Sequence, residues 1–117
     1  MIGSTRNVRV FAYAGPADLR KGYNGLYGLV RNRMDRDPLS GDLYLFTNRK
    51  RSSCKVLTFD GTGLCLFCKR LERPGKFAAL WREGGGDVEL TQSELALYLE
   101  GCRQVGYQPL SPPVESR

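Results

Sequence analysis

The apolar positions of this chain fall into short blocks separated by turn residues. Val8-Arg9-Val10-Phe11-Ala12-Tyr13 is rich in β-branched and aromatic residues and predicts a strand that ends at Gly15-Pro16. Beyond Asp18 the period changes. Leu19, Tyr23, Leu26 and Val30 recur at helical spacing, so a helix is expected over about 18–34 with that stripe buried. Its start has two readings. Either Gly15 is the cap with Pro16 at the first helical position, or the Asp18 carboxylate caps an orphan backbone N–H. Gly22, Gly25 and Gly28 recur every third residue, and each costs up to about 1 kcal/mol against Ala inside a helix. Such a run implies either a second backbone packed closely there or a break in the helix.

A turn cluster, Asp35–Asp42, leads into three β-type blocks: Leu43–Asn48, Cys54–Phe59 and Leu64–Leu71. The basic stretch Arg49-Lys50-Arg51-Ser52-Ser53 separates the first two, and Asp60-Gly61-Thr62-Gly63 separates the second pair. Loops this short predict an antiparallel meander. Phe77–Trp81 is a candidate fourth strand and Val88-Glu89-Leu90 a short extended piece. Thr91-Gln92-Ser93-Glu94 has the capping-box pattern and predicts a helix over about 92–101, with Gly101 at its C-terminal end. The expected fold is α+β: a single domain over 1–107, built as an antiparallel sheet of four to six strands with two flanking helices. Residues 108–117, with three prolines and two serines, are expected to be a disordered tail.

Composition narrows the function. A chain of 117 residues with 41% hydrophobic and 26% charged side chains is a one-domain globular composition. No unbroken apolar run exceeds five residues, whereas a membrane-spanning helix needs about 20. The N-terminus has no signal-type apolar core. The expected location is therefore cytoplasmic, with nucleoid association one option, and the cysteines are expected to be reduced. There is no histidine, which removes the commonest general base and the commonest metal ligand. Charge is unevenly distributed: residues 1–82 carry 16 basic and 6 acidic side chains, residues 83–117 only 2 basic and 6 acidic. A basic body points to a polyanionic partner.

The candidate phosphate contacts are Arg49, Lys50, Arg51 and Lys55 in and beside one turn, and Lys69, Arg70, Arg73 and Lys76 after the meander. In a meander these two clusters can share one sheet end, with Arg20 and Lys21 extending the stripe. The plainer alternative is that basic loops keep sheet edges soluble. No helix-turn-helix, zinc-finger or base-stacking motif is visible. The aromatics Tyr44, Phe46, Phe59, Phe67, Phe77 and Trp81 are read as core rather than as base-stacking platforms.

Other chemistry is weaker. Cys65 and Cys68 are three apart in a strand, so they face opposite sides and cannot grip one metal. Cys54, Cys65 and Cys68 are expected as small core residues. A metal-dependent nuclease would need converging carboxylates, and Asp18, Asp60 and Glu72 are the acids within the basic region. Each has a local explanation, as cap, turn or ion-pair partner. Gly61-Thr62-Gly63 lacks the flanking residues of a nucleotide fingerprint, and no cofactor or metal is expected.

Taken together, Asp18-Leu19-Arg20-Lys21-Gly22-Tyr23-Asn24-Gly25-Leu26, Leu43–Arg51, Lys55-Val56-Leu57, Asp60–Gly63 and Lys69-Arg70-Leu71-Glu72-Arg73 with Gly75 and Phe77 form an ordered series. It resembles the TnpB-type, or second-frame, accessory protein of bacterial insertion sequences of the "sixty-six" family. The likeness runs from about Val8 to Gly101. Pro74, the Gly84–Gly86 loop and the proline-rich tail depart from it. The resemblance implies an accessory role in transposition of a mobile element. The expected partners are the separate transposase that carries the chemistry, the element's other accessory protein, and DNA at the element ends. The expectation is thus a non-enzymatic nucleic-acid-binding factor. A protein–protein adaptor without DNA contact is the alternative, and a nuclease using Asp18, Asp60 and Glu72 a third.

Overall fold

The computed structural model describes residues 7–81 and 84–101. The proposed tail, 108–117, lies outside the described residues. Five strands form one mixed sheet in the order β4-β3-β2-β1-β5. They are β1 (Val10–Pro16), β2 (Leu43–Thr47), β3 (Ser53–Phe59), β4 (Leu64–Arg70) and β5 (Val88–Leu90), with α1 (Tyr23–Asn32) and α2 (Gln92–Leu99) between and after them. The fold is α+β.

The β2-β3-β4 meander is antiparallel throughout, without a register shift. The sheet as a whole is not antiparallel. β1 runs parallel to β2, with α1 as the crossover between them, and β5 pairs antiparallel with the outer side of β1. Parallel neighbours need a long connection, and the 17–42 segment supplies it. β1 also continues through Gly15-Pro16, where it was expected to end. Its register with β2 slips between Ala12 and Pro16, an irregularity of the kind that accommodates a proline in a strand.

α1 is shorter than the 18–34 stripe predicts. Its N-cap is Gly22, in an extended conformation, and neither Gly15 nor Asp18 caps it. The Asp18 carboxylate instead binds the Arg20 backbone N–H and guanidinium, each at 3.0 Å. Leu26 and Val30 are buried, but Tyr23 is exposed. No foreign backbone explains the glycines. A Cβ on Gly25 would lie 2.6 Å from the Lys21 Cβ, while position 22 is open and a Cβ at 28 would meet only the Asn32 side chain, at 3.9 Å. Gly25 therefore clears space for the side chain of Lys21.

Alternation along the strands divides the core between two faces. α1 covers Phe11, Tyr44, Phe46 and Leu57. On the other face Val10, Ala12, Leu45, Cys54 and Val56 lie under Phe77, Ala78, Leu80 and α2. The 77–81 stretch is no fourth strand. It crosses the sheet as a strap without strand pairing, and Phe77 is fully buried and stacks on Tyr98 with 5.0 Å between ring centroids. Burying a side chain of this size contributes roughly 1.5–3 kcal/mol. The Tyr98 hydroxyl bonds the Thr47 hydroxyl, so both buried oxygens are satisfied. The capping box at Thr91 and Glu94 is present with both its bonds, and Gly101 takes φ 80° just beyond α2, the left-handed conformation that glycine adopts freely.

Candidate nucleic-acid interface

Three loops meet at the end of the sheet where β1 and β2 finish. The Ala17 N–H donates to the Thr47 carbonyl at 2.9 Å, which fixes the 17–22 loop against the end of β2. The β2–β3 turn is built by Asn48. Its side-chain oxygen accepts from the N–H groups of Ser52 and Ser53 at 2.9 and 3.1 Å, and its amide donates to the Ser52 hydroxyl. The third loop, 71–76, is clamped to this turn at both ends: Leu71 N–H donates to the Ser52 carbonyl at 2.8 Å and Phe77 N–H to the Arg51 carbonyl at 2.7 Å. Antiparallel register does the rest, since Arg70 at the end of β4 lies opposite Ser53 at the start of β3.

All ten predicted cations gather around this sheet end, but they do different things. Lys21, Arg49, Lys50, Arg73 and Lys76 are exposed, and none forms an ion pair among the described residues. Arg20 and Arg70 are exposed but paired within their own loops, to Asp18 at 3.0 Å and to Glu72 at 2.7 Å. Lys55, half-buried, lies directly across from Cys68. Arg51 is turned inward: its guanidinium donates to the Phe77 carbonyl at 3.1 Å, from a backbone held at φ 58°. Lys69 points to the other face and donates to the Leu99 carbonyl at the end of α2, a favourable place for a cation. A groove of about 660 Å³ runs between the 17–20 loop and the β3–β4 ends, lined by Leu19, Arg20, Asn48, Lys55, Cys68 and Arg70 among others. Sequence reasoning missed Asn48 as the builder of this site; an Asn directly after a strand is the signal that was there to read.

The three acids do not converge. Asp18 and Glu72 both border the groove, but Asp60 sits in the β3–β4 turn at the opposite sheet end. The Asp18 carboxyl is held down at about 2 chiefly by its hydrogen bond from Arg20. The Asp60 carboxyl is held at about 2 chiefly by the backbone N–H groups of Thr62 and Gly63, with Gly61 at φ 107° making the turn. Among the described residues no group of three or more Cys, Asp or Glu side chains is placed to hold a metal ion.

Cys65 and Cys68 lie opposite Thr58 and Lys55 respectively, hence on opposite faces of the sheet. Of the three cysteines expected in the core, only Cys54 is buried; Cys65 is half-buried and Cys68 exposed. Both belong to β4, which is an edge strand. Burial pushes the Cys54 thiol up to about 12. Among the aromatics, Tyr44, Phe46 and Phe77 are core, while Phe67 is exposed.

A small mixed-sheet domain with a helix on each face and its loop cations gathered at one end is thus the class of protein to be placed. Residues 8–108 match the family described as IS66 Orf2 like protein, and the chain belongs to that family. It is 39% identical over 101 residues to the uncharacterized protein y4hO of Sinorhizobium fredii, covering 86% of each chain. It is 38% identical over 117 residues to the uncharacterized protein y4jC of the same organism, covering 98% of each. No solved structure matches. Membership gives an accessory rather than catalytic role in transposition, beside the transposase of an IS66 element. Among the described residues no helix is long and apolar enough to cross a membrane.

Proposed function

We propose that this protein is a non-enzymatic nucleic-acid-binding factor that serves its element's transposase by gripping DNA with the basic end of the sheet. The observation that carries this reading is the gathering, at one end of one sheet, of three separate loops that carry seven of the ten cations, with Lys55, Lys69 and Arg70 on the adjoining strand ends and with Asp18 and Glu72 as the acids of those loops. Lys21, Arg49, Lys50, Arg73 and Lys76 form the working phosphate contacts, and Arg20, Lys55 and Arg70 line the groove behind them. Arg51 and Lys69 hold the platform together. Phosphate contacts of this kind position a duplex without reading its sequence.

Binding then releases counterions, with about −0.9 in the log–log salt slope for each phosphate contacted. Fluorescence anisotropy of the purified chain on labelled duplex, over a salt series, tests this. A steep slope is expected. A folded protein that ignores duplex at about 50 mM salt, where such contacts are strongest, removes the reading.

The adaptor reading draws support from Arg20 and Arg70, whose charges are answered by Asp18 and Glu72 within their own loops. It predicts capture of the transposase without DNA, unaffected by the loss of Arg49 and Lys50.

A further inference from the structure

The two edges of the sheet are managed differently. β5 is three residues long and its Glu89 is tied to Arg9 at 3.0 Å. β4 is seven residues long, Leu-Cys-Leu-Phe-Cys-Lys-Arg, with no proline, glycine or register shift along its pairing with β3. Proteins usually blunt such an edge with charge, proline or a bulge. Here the middle of the strand is apolar, and Phe67 is left 51% exposed.

The ladder shows which backbone groups face outward. The Asp60 N–H donates to the Gly63 carbonyl and the Leu71 N–H to the Ser52 carbonyl. Between these two fixed points bonded and non-bonded pairs alternate. The odd-numbered residues of β4 therefore aim their N–H and C=O groups at β3. Those of Leu64, Leu66, Cys68 and Arg70 aim away from the sheet.

We infer that β4 is a self-association edge, on which a second copy of this chain pairs antiparallel about a two-fold axis at Phe67. The register is self-consistent. Leu66 of one copy exchanges both bonds with Cys68 of the other, and Leu64 with Arg70, so every outward group finds a partner. Phe67 then faces its own counterpart as a non-bonded pair, the arrangement in which opposite side chains come closest.

Charge selects this orientation. The strand has Asp60 before one end and Arg70 and Arg73 at the other. Antiparallel pairing brings the acid of each copy to the cations of its mate, whereas parallel pairing would set Arg70 beside Arg70. The result is a continuous ten-stranded sheet whose two basic ends point in opposite directions.

Sedimentation equilibrium of the full chain, without nucleic acid, tests the proposal. The expected mass is twice 13.1 kDa. Phe67→Lys, which sets two like charges face to face on the axis, is expected to weaken the dimer at least about 100-fold while its circular dichroism stays close to wild type and its unfolding stays cooperative. Leu97→Lys, at an exposed apolar position on α2, is expected to leave the dimer intact. A second measurement fixes the register. In a Cys65→Ser/Cys68→Ser background, Phe67→Cys should oxidise to a 67–67 disulfide between copies, because a non-bonded pair has the Cα separation a disulfide needs, and peptide mapping identifies it. A monomer at all concentrations, a dimer indifferent to Phe67→Lys, or a dimer in which residue 67 does not cross-link to itself would each overturn the inference. None of these outcomes depends on DNA binding.

Discussion

At one end of the sheet the loops 17–22, 48–52 and 71–76 present Arg20, Lys21, Arg49, Lys50, Arg73 and Lys76, with Asp18 and Glu72 as the acids. At the other end the 33–42 segment, the 60–63 turn and the start of α2 present Asp35, Asp37, Asp42, Asp60 and Glu94 against Arg33 and Arg36. The ends differ in what their charges are occupied with, as well as in sign. Asp37 accepts from the Leu39 N–H at 2.9 Å, Asp42 from the Arg9 N–H at 3.1 Å, and Asp60 from Thr62 and Gly63. Glu94 closes the capping box of α2, and Arg36 lies over the Phe11 ring at 3.6 Å. Five of these seven charges shape the backbone or pack on the core. At the basic end most of the outward cations are left over once the loops are built. Charge that folding does not use is charge available to a partner.

The largest expected effect separates the two ends directly. Replacing Arg49, Lys50, Arg73 and Lys76 together by Ala removes up to four phosphate contacts. At about −0.9 per contact, the salt slope should flatten by roughly 3.6, and affinity near 0.1 M salt should fall by between three and four powers of ten. Replacing Arg33 and Arg36 at the acidic end should leave the slope unchanged. Anisotropy titrations of both variants against wild type decide the matter. Equal losses would dissolve the distinction between the ends.

The next effect is on stability and divides the basic end itself. Arg51 sits among the exposed cations in sequence but is bonded to the strap that carries Phe77. Arg51→Ala should cost about 1.5 kcal/mol in urea unfolding, the scale of a lost hydrogen bond from a charged group. Ala retains the left-handed backbone, so the difference reports the guanidinium contact. Arg49→Ala/Lys50→Ala should change stability by less than about 0.5 kcal/mol. A triple replacement of residues 49–51 therefore mixes two effects, one on binding and one on stability.

How much of this was legible follows from what each feature depends on. The meander was readable because short loops with turn residues leave adjacent strands one way to pair. The parallel β1–β2 pairing was not, since strand order is settled by tertiary contact across the 17–42 crossover and leaves no local mark. The start of α1 was misread because Pro16 and Asp18 are both good start signals, and Gly22, a weaker one, is where the helix begins. The strap at Phe77 has the apolar content of a strand, and only its position across the face rather than along an edge denies it partners. The cations could be listed from sequence. Their division into free, loop-paired and backbone-bonded groups could not, because it depends on Phe77 and Leu99, distant in the chain from Arg51 and Lys69.

A smaller stability effect is expected at the acidic end. Thr91→Ala removes the side-chain bond to the Glu94 N–H, 3.0 Å long, and should cost about 1 kcal/mol, typical of a lost helix cap. Duplex affinity should not change at pH 7, since no cation at the basic end touches this cap. A loss of affinity that outran the loss of folded protein would mean that α2 belongs to the interface.

The smallest effect distinguishes two carboxylates that titrate in the same range for different reasons. Asp18, at the basic end, is depressed to about 2 mainly by the Arg20 side chain, and Asp60, at the acidic end, to about 2 mainly by backbone N–H groups. Both folded-state values lie below the ordinary unfolded value of about 3.9. Each group therefore contributes stability that is fully present above pH 4–5 and is lost as pH falls towards about 2. Salt separates them. The Asp18 pair is exposed, so raising salt from about 0.05 to 1 M screens it, and the Asp18 carboxyl should move up towards its ordinary value. The Asp60 carboxylate is gripped by short bonds inside its own turn, from the Thr62 N–H and hydroxyl at 2.9 and 3.0 Å and the Gly63 N–H at 3.0 Å, and should hardly move. Carboxyl carbon NMR titrations at the two salt concentrations read both groups in one sample. If Asp60 shifted as far as Asp18, its depression would come from the surrounding charges and not from the turn. The contrast between an end whose acids build backbone and an end whose cations stand free would then fail at its acidic half.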